Sequence, residues 1–392
     1  MKVAGWTVDV PDVEGTLTCL WNGKYTTTRP PCTRRDPAGT AIGRPAAPMT
    51  TRDGARAVDV HWAGSMPEGT RMPALRAAIA ALLFAGAAHA QTVPAGDFHQ
   101  HVFSAADIAL AGPSSGLVAL DADQLLALLD AAGIRKAVLL SVAYMFGSPA
   151  RAVDDEYAKV RMENDWTAAQ AARHPGRLIA FCSFNPLKDY ALTELERCAG
   201  KPGLDHGIKL HFGNSDVRLD DPTHVARLRQ VFAAANAHGM AIVVHLRANI
   251  GRKRPYGAAQ ARIFLDQVMP AAPDVPVQIA HFAGSGPGYD DPAAQAAMAV
   301  LADAVEDHDP HAGNLWFDVA SIVDRDIGPA TAALVTKFIR QVGVGRVLYG
   351  TDSAQGANLR PRESWAAFRK LPLSPAEFAH IAANVPPYFP EP

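Results

Sequence analysis

Residues 95–101 read AGDFHQH, a short segment that ends in His99 and His101. This segment predicts a β-strand, and seven later segments that are short, apolar and often β-branched predict seven more. The later segments lie at 136–142, 178–184, 207–211, 241–245, 277–281, 315–320 and 346–351. Helical patterns separate the strands, near 121–133, 155–174, 188–199, 221–239, 258–272, 292–308, 327–342 and 374–383.

Eight strands that alternate with eight helices predict a (β/α)8 TIM barrel. An open, doubly wound sheet is the alternative, and it requires a glycine-rich phosphate loop after its first strand. Here the first strand ends in His99 and His101, with no glycine-rich turn. The sequence therefore favours the barrel, whose functional residues stand at the C-terminal ends of the strands.

The composition excludes several other classes of protein. Of the 392 residues, 48% are hydrophobic, and the formal net charge is −2, from 37 Lys and Arg against 39 Asp and Glu. A nucleic-acid binder needs a basic surface, so we expect no nucleic-acid partner. No apolar run reaches the roughly 18 residues of a membrane span. We expect a small-molecule substrate, and the sequence leaves a homodimer open.

Residues 72–91, MPALRAAIAALLFAGAAHAQ, have the layout of a secretory signal peptide. Arg76 precedes an apolar run at 77–88, and residues 88–90 read AHA, which fits an A-x-A cleavage site. The alternative is a buried or membrane-spanning helix, but a span needs about 20 apolar residues. We therefore expect cleavage after Ala90, a periplasmic or secreted protein, and no stable membrane insertion after cleavage.

The signal peptide also divides the chain. Because such a peptide stands at an N-terminus, residues 1–71 are predicted to be a disordered extension from a mis-assigned start codon, with a small folded domain as the alternative. Residues 72–90 are then the signal peptide and residues 91–392 the barrel domain. That domain keeps only Cys182 and Cys198. A disulfide between them in an oxidising compartment and two free buried thiols are both open.

Histidines and one aspartate stand at the ends of four predicted strands. His99 and His101 point to the same face of the first strand, because side chains alternate along a strand. His245 ends the fifth strand, His281 the sixth, and Asp352 the eighth. Imidazole and carboxylate ligands suit a divalent metal such as Zn²⁺. The set therefore predicts a metal site at the C-terminal mouth of the barrel.

This ordered set resembles the amidohydrolase superfamily of metal-dependent hydrolases. More narrowly, it is similar to the amidohydrolase-2 branch, which includes aminocarboxymuconate semialdehyde decarboxylase-like enzymes. The matching stretches are 97–101, 207–211, 243–245, 279–281 and 349–353. The tail at 383–389, ANVPPYF, resembles a degraded form of the closing Gly-Asn-x-x-Arg-x-Phe of that branch. The resemblance implies a TIM barrel and a divalent metal.

The resemblance also implies roles for these side chains. One metal ion would be held by His99, His101, His245 and Asp352. His281 would act beside it as the catalytic acid and base, and Asp352 would share the proton transfer. Other branches of the superfamily hold two metals bridged by a carbamylated lysine on the fourth strand. Lys209 lies on that strand, so a second metal stays open as the alternative.

Three further residues are predicted to bind substrate. Lys209 and His211 lie two positions apart on the fourth strand and face the barrel mouth together. Arg247 follows His245 in a loop with three more cations at 252–254, and an arginine binds a carboxylate through paired hydrogen bonds. The alternatives are a structural role for Lys209 and His211 and a solvated loop around Arg247.

These features predict an exported, metal-dependent hydrolase that uses a metal-activated water on an amide, ester or lactone of a small anionic substrate. A non-oxidative decarboxylase or hydro-lyase on the same metal site is one alternative, since the metal would hold a carboxylated substrate. A non-catalytic periplasmic binding protein is an alternative of another class. Zn²⁺ is the expected metal, although Mn²⁺, Fe²⁺ and Co²⁺ accept the same ligands.

Overall fold

The computed structural model describes residues 92–323, 327–352, 358 and 360–390. The predicted signal peptide at 72–90 and the predicted extension at 1–71 lie outside these residues. None of the helices in the described ranges combines the length and the apolar character that a membrane crossing requires.

Eight parallel strands in the described residues form one sheet, paired in chain order from first to last. The strands are β1 (Gly96–Gln100), β2 (Lys136–Leu140), β3 (Leu178–Ser183), β4 (Gly207–His211), β5 (Ala241–His245), β6 (Val277–Ile279), β7 (Leu315–Asp318) and β8 (Val347–Leu348). Backbone hydrogen bonds from Phe98 N to Tyr349 O and from Asp352 N to His99 O, both 2.9 Å, connect β1 with the segment after β8. The sheet is a nearly closed barrel with interleaved helices, which confirms the (β/α)8 prediction.

Eleven α-helices lie between and after the strands in the described part of the chain. They are α1 (Ala105–Ala111), α2 (Ala122–Ala132), α3 (Glu156–Ala172), α4 (Ala191–Ala199), α5 (Phe212–Ser215), α6 (Pro222–Ala237), α7 (Ala258–Ile263), α8 (Pro292–Glu306), α9 (Pro329–Val342), α10 (Pro361–Phe368) and α11 (Pro375–Ala383). The sequence did not predict α1, α5 and α10, because helices of 7, 4 and 8 residues are too short to show a helical period.

Six of the eight strands end one to three residues earlier than predicted, and the early ends of β6 and β8 lie at predicted site residues. β6 ends at Ile279, and residues 281–283 have left-handed backbone conformations with φ of 54°, 47° and 61°. β8 ends at Leu348, and Asp352 is left-handed with a φ of 50°. Non-glycine residues rarely adopt this conformation, and such strain concentrates at functional sites.

Two apolar layers hold the barrel together. The outer layer lies between the strands and the helices. The inner layer consists of alternate strand residues, among them Phe98, Val138, Leu140, Phe181 and Val243. Phe389 of the C-terminal tail belongs to the inner layer, and the ammonium of Lys136, the first residue of β2, lies 5.0 Å from its ring. The tail therefore closes the N-terminal end of the barrel.

A disulfide joins Cys182 on β3 to Cys198 on α4, and both residues are fully buried. Of the two states that the sequence left open, the structure has the disulfide. It closes a loop with a sequence separation of 16. A loop of about this length reduces the entropy of the unfolded chain by an amount worth about 3 kcal/mol in the chain-entropy description.

Candidate metal centre

Four of the predicted side chains meet at the mouth of the barrel. His99, His281 and Asp352 each place one atom able to bind a metal within 4.8 Å of the other two. Nε2 of His281 lies 4.0 Å from Oδ2 of Asp352, and Nε2 of His101 lies 3.5 Å from Oδ1 of the same carboxylate. All four residues are buried. The side chains predicted at the ends of β1, β6 and β8 therefore lie close together.

The hydrogen bonds of the three imidazoles leave a lone pair for a metal. Nδ1 of His101 donates to Leu140 O at 2.6 Å, and Nδ1 of His281 donates to Ala320 O at 2.8 Å. Since a carbonyl oxygen only accepts, the proton of each neutral ring lies on Nδ1 and Nε2 is free. Nδ1 of His99 binds Oδ2 of Asp318 at 2.9 Å, which fixes that ring in the same way. This donor set fits a divalent metal ion.

Asp318, the last residue of β7, is a site residue that the sequence analysis missed. Besides His99, its carboxylate accepts the backbone N–H of His281 at 2.9 Å. Burial alone would raise the pKa of Asp318, but the charge and hydrogen bonds of His99 and His281 outweigh burial and hold that pKa well below its usual range. Asp318 ends the observed β7, but the predicted strand at 315–320 extended two residues beyond it, so the sequence did not mark it as a strand end as it did Asp352.

Asp97 fixes the relative position of β1 and the segment after β8. Its carboxylate accepts hydrogen bonds from the Thr351 backbone N–H at 3.0 Å, the Thr351 hydroxyl at 2.6 Å and the Gln100 amide at 2.8 Å. Burial raises the pKa of Asp97 to about 6, although these hydrogen bonds oppose the rise. A Cβ on Gly350 would lie 2.8 Å from Cβ of His99, so only glycine allows the two segments to approach this closely.

His245 and His211 form a stacked pair at the ends of β5 and β4. Their ring centroids are 3.8 Å apart and their planes differ by 20°. The ring of His245 lies 5.2 Å from that of His281, so it borders the group of His99, His281 and Asp352. Its role as a metal ligand stays a prediction. Nδ1 of His211 accepts the Asn214 backbone N–H at 3.2 Å, so the proton of a neutral His211 lies on Nε2, where it can be donated.

Lys209 lies at the centre of the cluster, where its buried Nζ is 3.2 Å from Nε2 of His99. Burial lowers the pKa of Lys209 to about 8, although Asp318 and Asp352 oppose the change. Burial likewise raises the pKa of Asp352 to about 8 against the charge of Lys209. The pKa of each imidazole is lowered by burial, that of His99 to about 3, so the rings are neutral at neutral pH.

Arg247 stands apart from this cluster. Its Nε donates to Oδ2 of Asp291 at 2.6 Å, and its guanidinium lies 4.7 Å from the Tyr256 ring centroid. It lines a cavity of about 480 Å³ with Gly284 and Tyr289, which belong to the loop after β6. The two arginines at positions 252 and 254 both bind Asp216. The three arginines of this loop therefore already have carboxylate partners.

Tyr144 is the second site residue that the sequence analysis missed. It follows β2 in a 3-10 turn, and its buried ring lies 4.8 Å from that of His211. Burial, and then the negative charge of Asp352, raise the pKa of the phenol, so it stays protonated. Among the described residues, no hydrogen-bond partner of its hydroxyl is found. An aromatic residue between two apolar ones reads as core in the sequence, so no signal marked it.

Known proteins resemble the chain in both sequence and structure. The model of the family described as Amidohydrolase matches residues 97–384. The crystal structure of 2,6-dihydroxybenzoate decarboxylase from Rhizobium is 17% identical and aligns over 74% of this chain and 96% of its own, with a TM-score of 0.52. The structure of an amidohydrolase II is 16% identical over 73% and 95% of the two chains, with a TM-score of 0.51. At these identities the structures support the fold alone. No curated protein sequence matches the chain.

Proposed function

This chain belongs to the amidohydrolase family and is an enzyme, and from that premise we propose that it is an exported, metal-dependent hydrolase of a small amide, ester or lactone. The observation that carries the proposal is the meeting of His99, His281 and Asp352 with their ligand atoms within 4.8 Å. A divalent metal supplies two things in such a site, because it lowers the pKa of a bound water and polarises a carbonyl oxygen.

We propose one metal ion, Zn²⁺, on the ligands His99, His101, His245 and Asp352. The buried carboxylate supports one of these ligands, and the Nε2 atoms of His99 and His101, which are unprotonated because Nδ1 carries the ring proton, support two more. His245 is the least supported, because it borders the group and stacks on His211. Lys209 as the carbamylated bridge between two metals is the alternative.

His281 is the proposed acid and base. Its Nδ1 is held by Ala320 O, so Nε2 is the atom that faces Asp352 and the reacting groups. Burial lowers its pKa, so Nε2 is unprotonated at neutral pH and takes the proton of the attacking water. The same nitrogen then returns the proton to the leaving alcohol or amine, while Asp352 faces it across 4.0 Å.

His211 and Lys209 are the proposed substrate-binding residues. The Nε2–H of His211 donates to a substrate oxygen, since Asn214 occupies Nδ1. Lys209 supplies a buried cation for an anionic substrate group, and the free phenol of Tyr144 adds a third donor. Arg247 is the weakest member of the predicted set, because Asp291 already neutralises its guanidinium at 2.6 Å. It keeps a proposed role in lining the cavity beside the site.

Export is proposed from two independent features. Residues 72–90 have the signal-peptide layout, and the Cys182–Cys198 disulfide is typical of proteins that fold in an oxidising compartment. N-terminal sequencing of the protein recovered from a bacterial periplasm tests both the cleavage after Ala90 and the compartment. A cytoplasmic protein that still begins upstream of residue 72 contradicts the proposal. The proposed binding partner is a small molecule and not a nucleic acid. Assembly as a homodimer stays an open alternative.

Metal content and turnover test the enzyme proposal. We expect about one equivalent of Zn²⁺ by mass spectrometry, and hydrolysis of p-nitrophenyl acetate or dihydrocoumarin, both lost in Asp352→Ala. Asp189→Ala is the matched control, because the Asp189 side chain is 99% exposed and outside the site. A content of about two equivalents of Zn²⁺ would support the alternative, in which a carbamylated Lys209 bridges two metal ions. No metal after refolding with Zn²⁺ or Mn²⁺ contradicts the proposal and favours a binding protein.

A non-oxidative decarboxylase is the second candidate, and the buried ammonium of Lys209 favours it, since a cation 3.2 Å from His99 Nε2 suits a carboxylated substrate. The two reactions differ in their products. A decarboxylase releases CO₂ from an aromatic acid such as 2,6-dihydroxybenzoate, whereas a hydrolase consumes water and forms a new acid. Detection of CO₂ with no ester or lactone hydrolysis would assign the lyase.

A further inference from the structure

The C-terminal tail contacts the interior of the barrel through two adjacent aromatic side chains. Phe389 packs 6.1 Å from the ring of Phe98, and Tyr388 lies 5.0 Å from the ring of Phe181. Phe389 makes apolar contacts, whereas the hydroxyl of Tyr388 donates a hydrogen bond to Oε1 of Gln278 on β6. The two neighbours therefore differ in chemistry at the same end of the barrel.

The hydrogen bond of Tyr388 begins a chain that ends at the metal centre. Nε2 of Gln278 donates to Oδ2 of Asp318 at 2.6 Å. The same oxygen, Oδ2, binds Nδ1 of His99 at 2.9 Å. Gln278, Asp318 and His99 are each at most 1% exposed. Four side chains thus connect the closed end of the barrel with the ring of a predicted metal ligand.

Each member of this chain has one workable orientation. The tyrosine hydroxyl needs an acceptor, so it holds the carboxamide oxygen of Gln278 on its own side and turns the NH₂ group toward Asp318. A flipped carboxamide would place its oxygen against the carboxylate of Asp318. The same Nε2 also donates to Phe98 O at 3.2 Å, which keeps the NH₂ group in this orientation. Without the hydroxyl, Gln278 keeps a buried oxygen that lacks its donor, which costs about 1–3 kcal/mol and leaves the side chain less firmly held against Asp318.

We propose that Tyr388 is a positioning residue of the metal centre, which acts through Gln278 and Asp318 to set the orientation of His99. The inference rests on the proposed function, because it assumes that His99 binds a metal. It concerns a residue that lies in the C-terminal tail, at the opposite end of the barrel from the site. When Gln278 is held less firmly, its hydrogen bond to Oδ2 of Asp318 weakens, and with it the hold of Asp318 on His99.

The test compares Tyr388→Phe with Phe389→Leu in the full chain. The first change removes one hydroxyl and keeps the ring, whereas the second removes packing at the adjacent position. Zn²⁺ affinity is measured by competition with a chelator, and ligand geometry by the visible absorption of the Co²⁺ form. Loss of a group that orients a ligand directly weakens metal binding by about 10–100-fold, so two steps further away we expect about 3–10-fold for Tyr388→Phe. Phe389→Leu should lower the melting temperature and leave Zn²⁺ affinity within about twofold.

Two additional variants secure the result. Gln278→Met breaks the chain in its middle and should weaken Zn²⁺ binding by at least as much as Tyr388→Phe. In Asp318→Asn the chain is already interrupted, so adding Tyr388→Phe should have little further effect, because residues of one network are not additive. Equal Zn²⁺ affinity in Tyr388→Phe and the parent, or additive effects in the double variant, overturns the inference alone. A parent that binds no metal overturns the proposed function, and the inference with it.

Discussion

Oδ2 of Asp318 lies 2.9 Å from Nδ1 of His99, although the two residues are 219 positions apart in the chain. The carboxylate fixes the ring so that Nε2 faces Asp352 and Lys209. It also accepts the backbone N–H of His281, so a single side chain orients a predicted metal ligand and the proposed acid and base. The geometry of the candidate metal centre therefore depends on a residue that does not itself belong to the predicted ligand set.

Asp318→Asn should weaken Zn²⁺ binding by about 10–100-fold, because an amide holds His99 less firmly than a carboxylate and can turn its NH₂ toward the ring. Competition with a chelator measures the affinity. Asp189→Asn is the control, since its side chain is 99% exposed. Unchanged Zn²⁺ affinity in Asp318→Asn would show that His99 needs no orientation from β7.

The buried pair of Glu163 and Asp107 gives the protein a pH-dependent stability, because burial raises the pKa of both carboxyl groups. The side chain of Glu163 is buried on α3, accepts from the Ser104 hydroxyl at 2.7 Å, and is hydrogen-bonded to Asp107. Burial, and then the charge of Asp107, raise its pKa to about 9 from 4.5. The folded protein holds this proton where the unfolded chain has lost it. Between about pH 4.5 and 9, this group therefore lowers the free energy of unfolding as pH rises.

Glu163→Gln should remove that part of the pH dependence, because a carboxamide does not titrate. Urea unfolding at pH 6 and pH 8 should show that the parent loses about 1–3 kcal/mol more between the two pH values than the variant. Asp97 and Asp352 are present in both proteins, so their contributions to the pH dependence cancel when the stability of the variant is subtracted from that of the parent. An equal loss of stability in both proteins would place the pKa of Glu163 outside this window.

Periodicity and residue type were sufficient to predict the barrel, and they also named side chains that meet at its mouth. A few adjacent positions were enough to predict the histidine pair at the end of β1. The same holds for His245, the last residue of β5, and for His281, which follows β6. Asp318 could have been included in the predicted site if the end of β7 had been placed correctly, because it is the last residue of that strand. Its role depends on a hydrogen bond across 219 positions, which no local pattern encodes.

The left-handed residues at 281–283 explain why the end of β6 was placed too late. Apolar residues at 277–280 fit a strand, and nothing in the sequence marks a φ of 54° at His281. The conformation comes from tertiary contacts, since Asp318 accepts the backbone N–H of His281 and Ala320 O accepts its ring proton. Tyr144 escaped prediction for a related reason, because its contact with His211 joins two different strand ends.

Tyr144→Phe should lower kcat/KM about tenfold on the ester or lactone that the parent hydrolyses, with no loss of Zn²⁺. The change removes a free hydrogen-bond donor beside His211 and keeps the ring contact, and a neutral hydrogen bond contributes about 0.5–1.5 kcal/mol. Steady-state kinetics and metal analysis measure the two effects. Tyr157→Phe is the matched control, since the ring of Tyr157 stacks on Tyr190 and not on a histidine of the candidate site. Equal loss in both variants contradicts a substrate contact by Tyr144.

Reduction of the Cys182–Cys198 disulfide should destabilise the barrel by about 2–4 kcal/mol, because the bond closes a loop in the unfolded chain. Urea unfolding with and without a phosphine reductant measures the difference. The bond is fully buried, so the reductant must act on the unfolded protein before refolding is measured. The double variant Cys182→Ala/Cys198→Ala should be less stable than the oxidised parent and should not respond to the reductant. A parent whose stability is the same in both conditions would mean that the thiols are free, and the disulfide would then no longer support export.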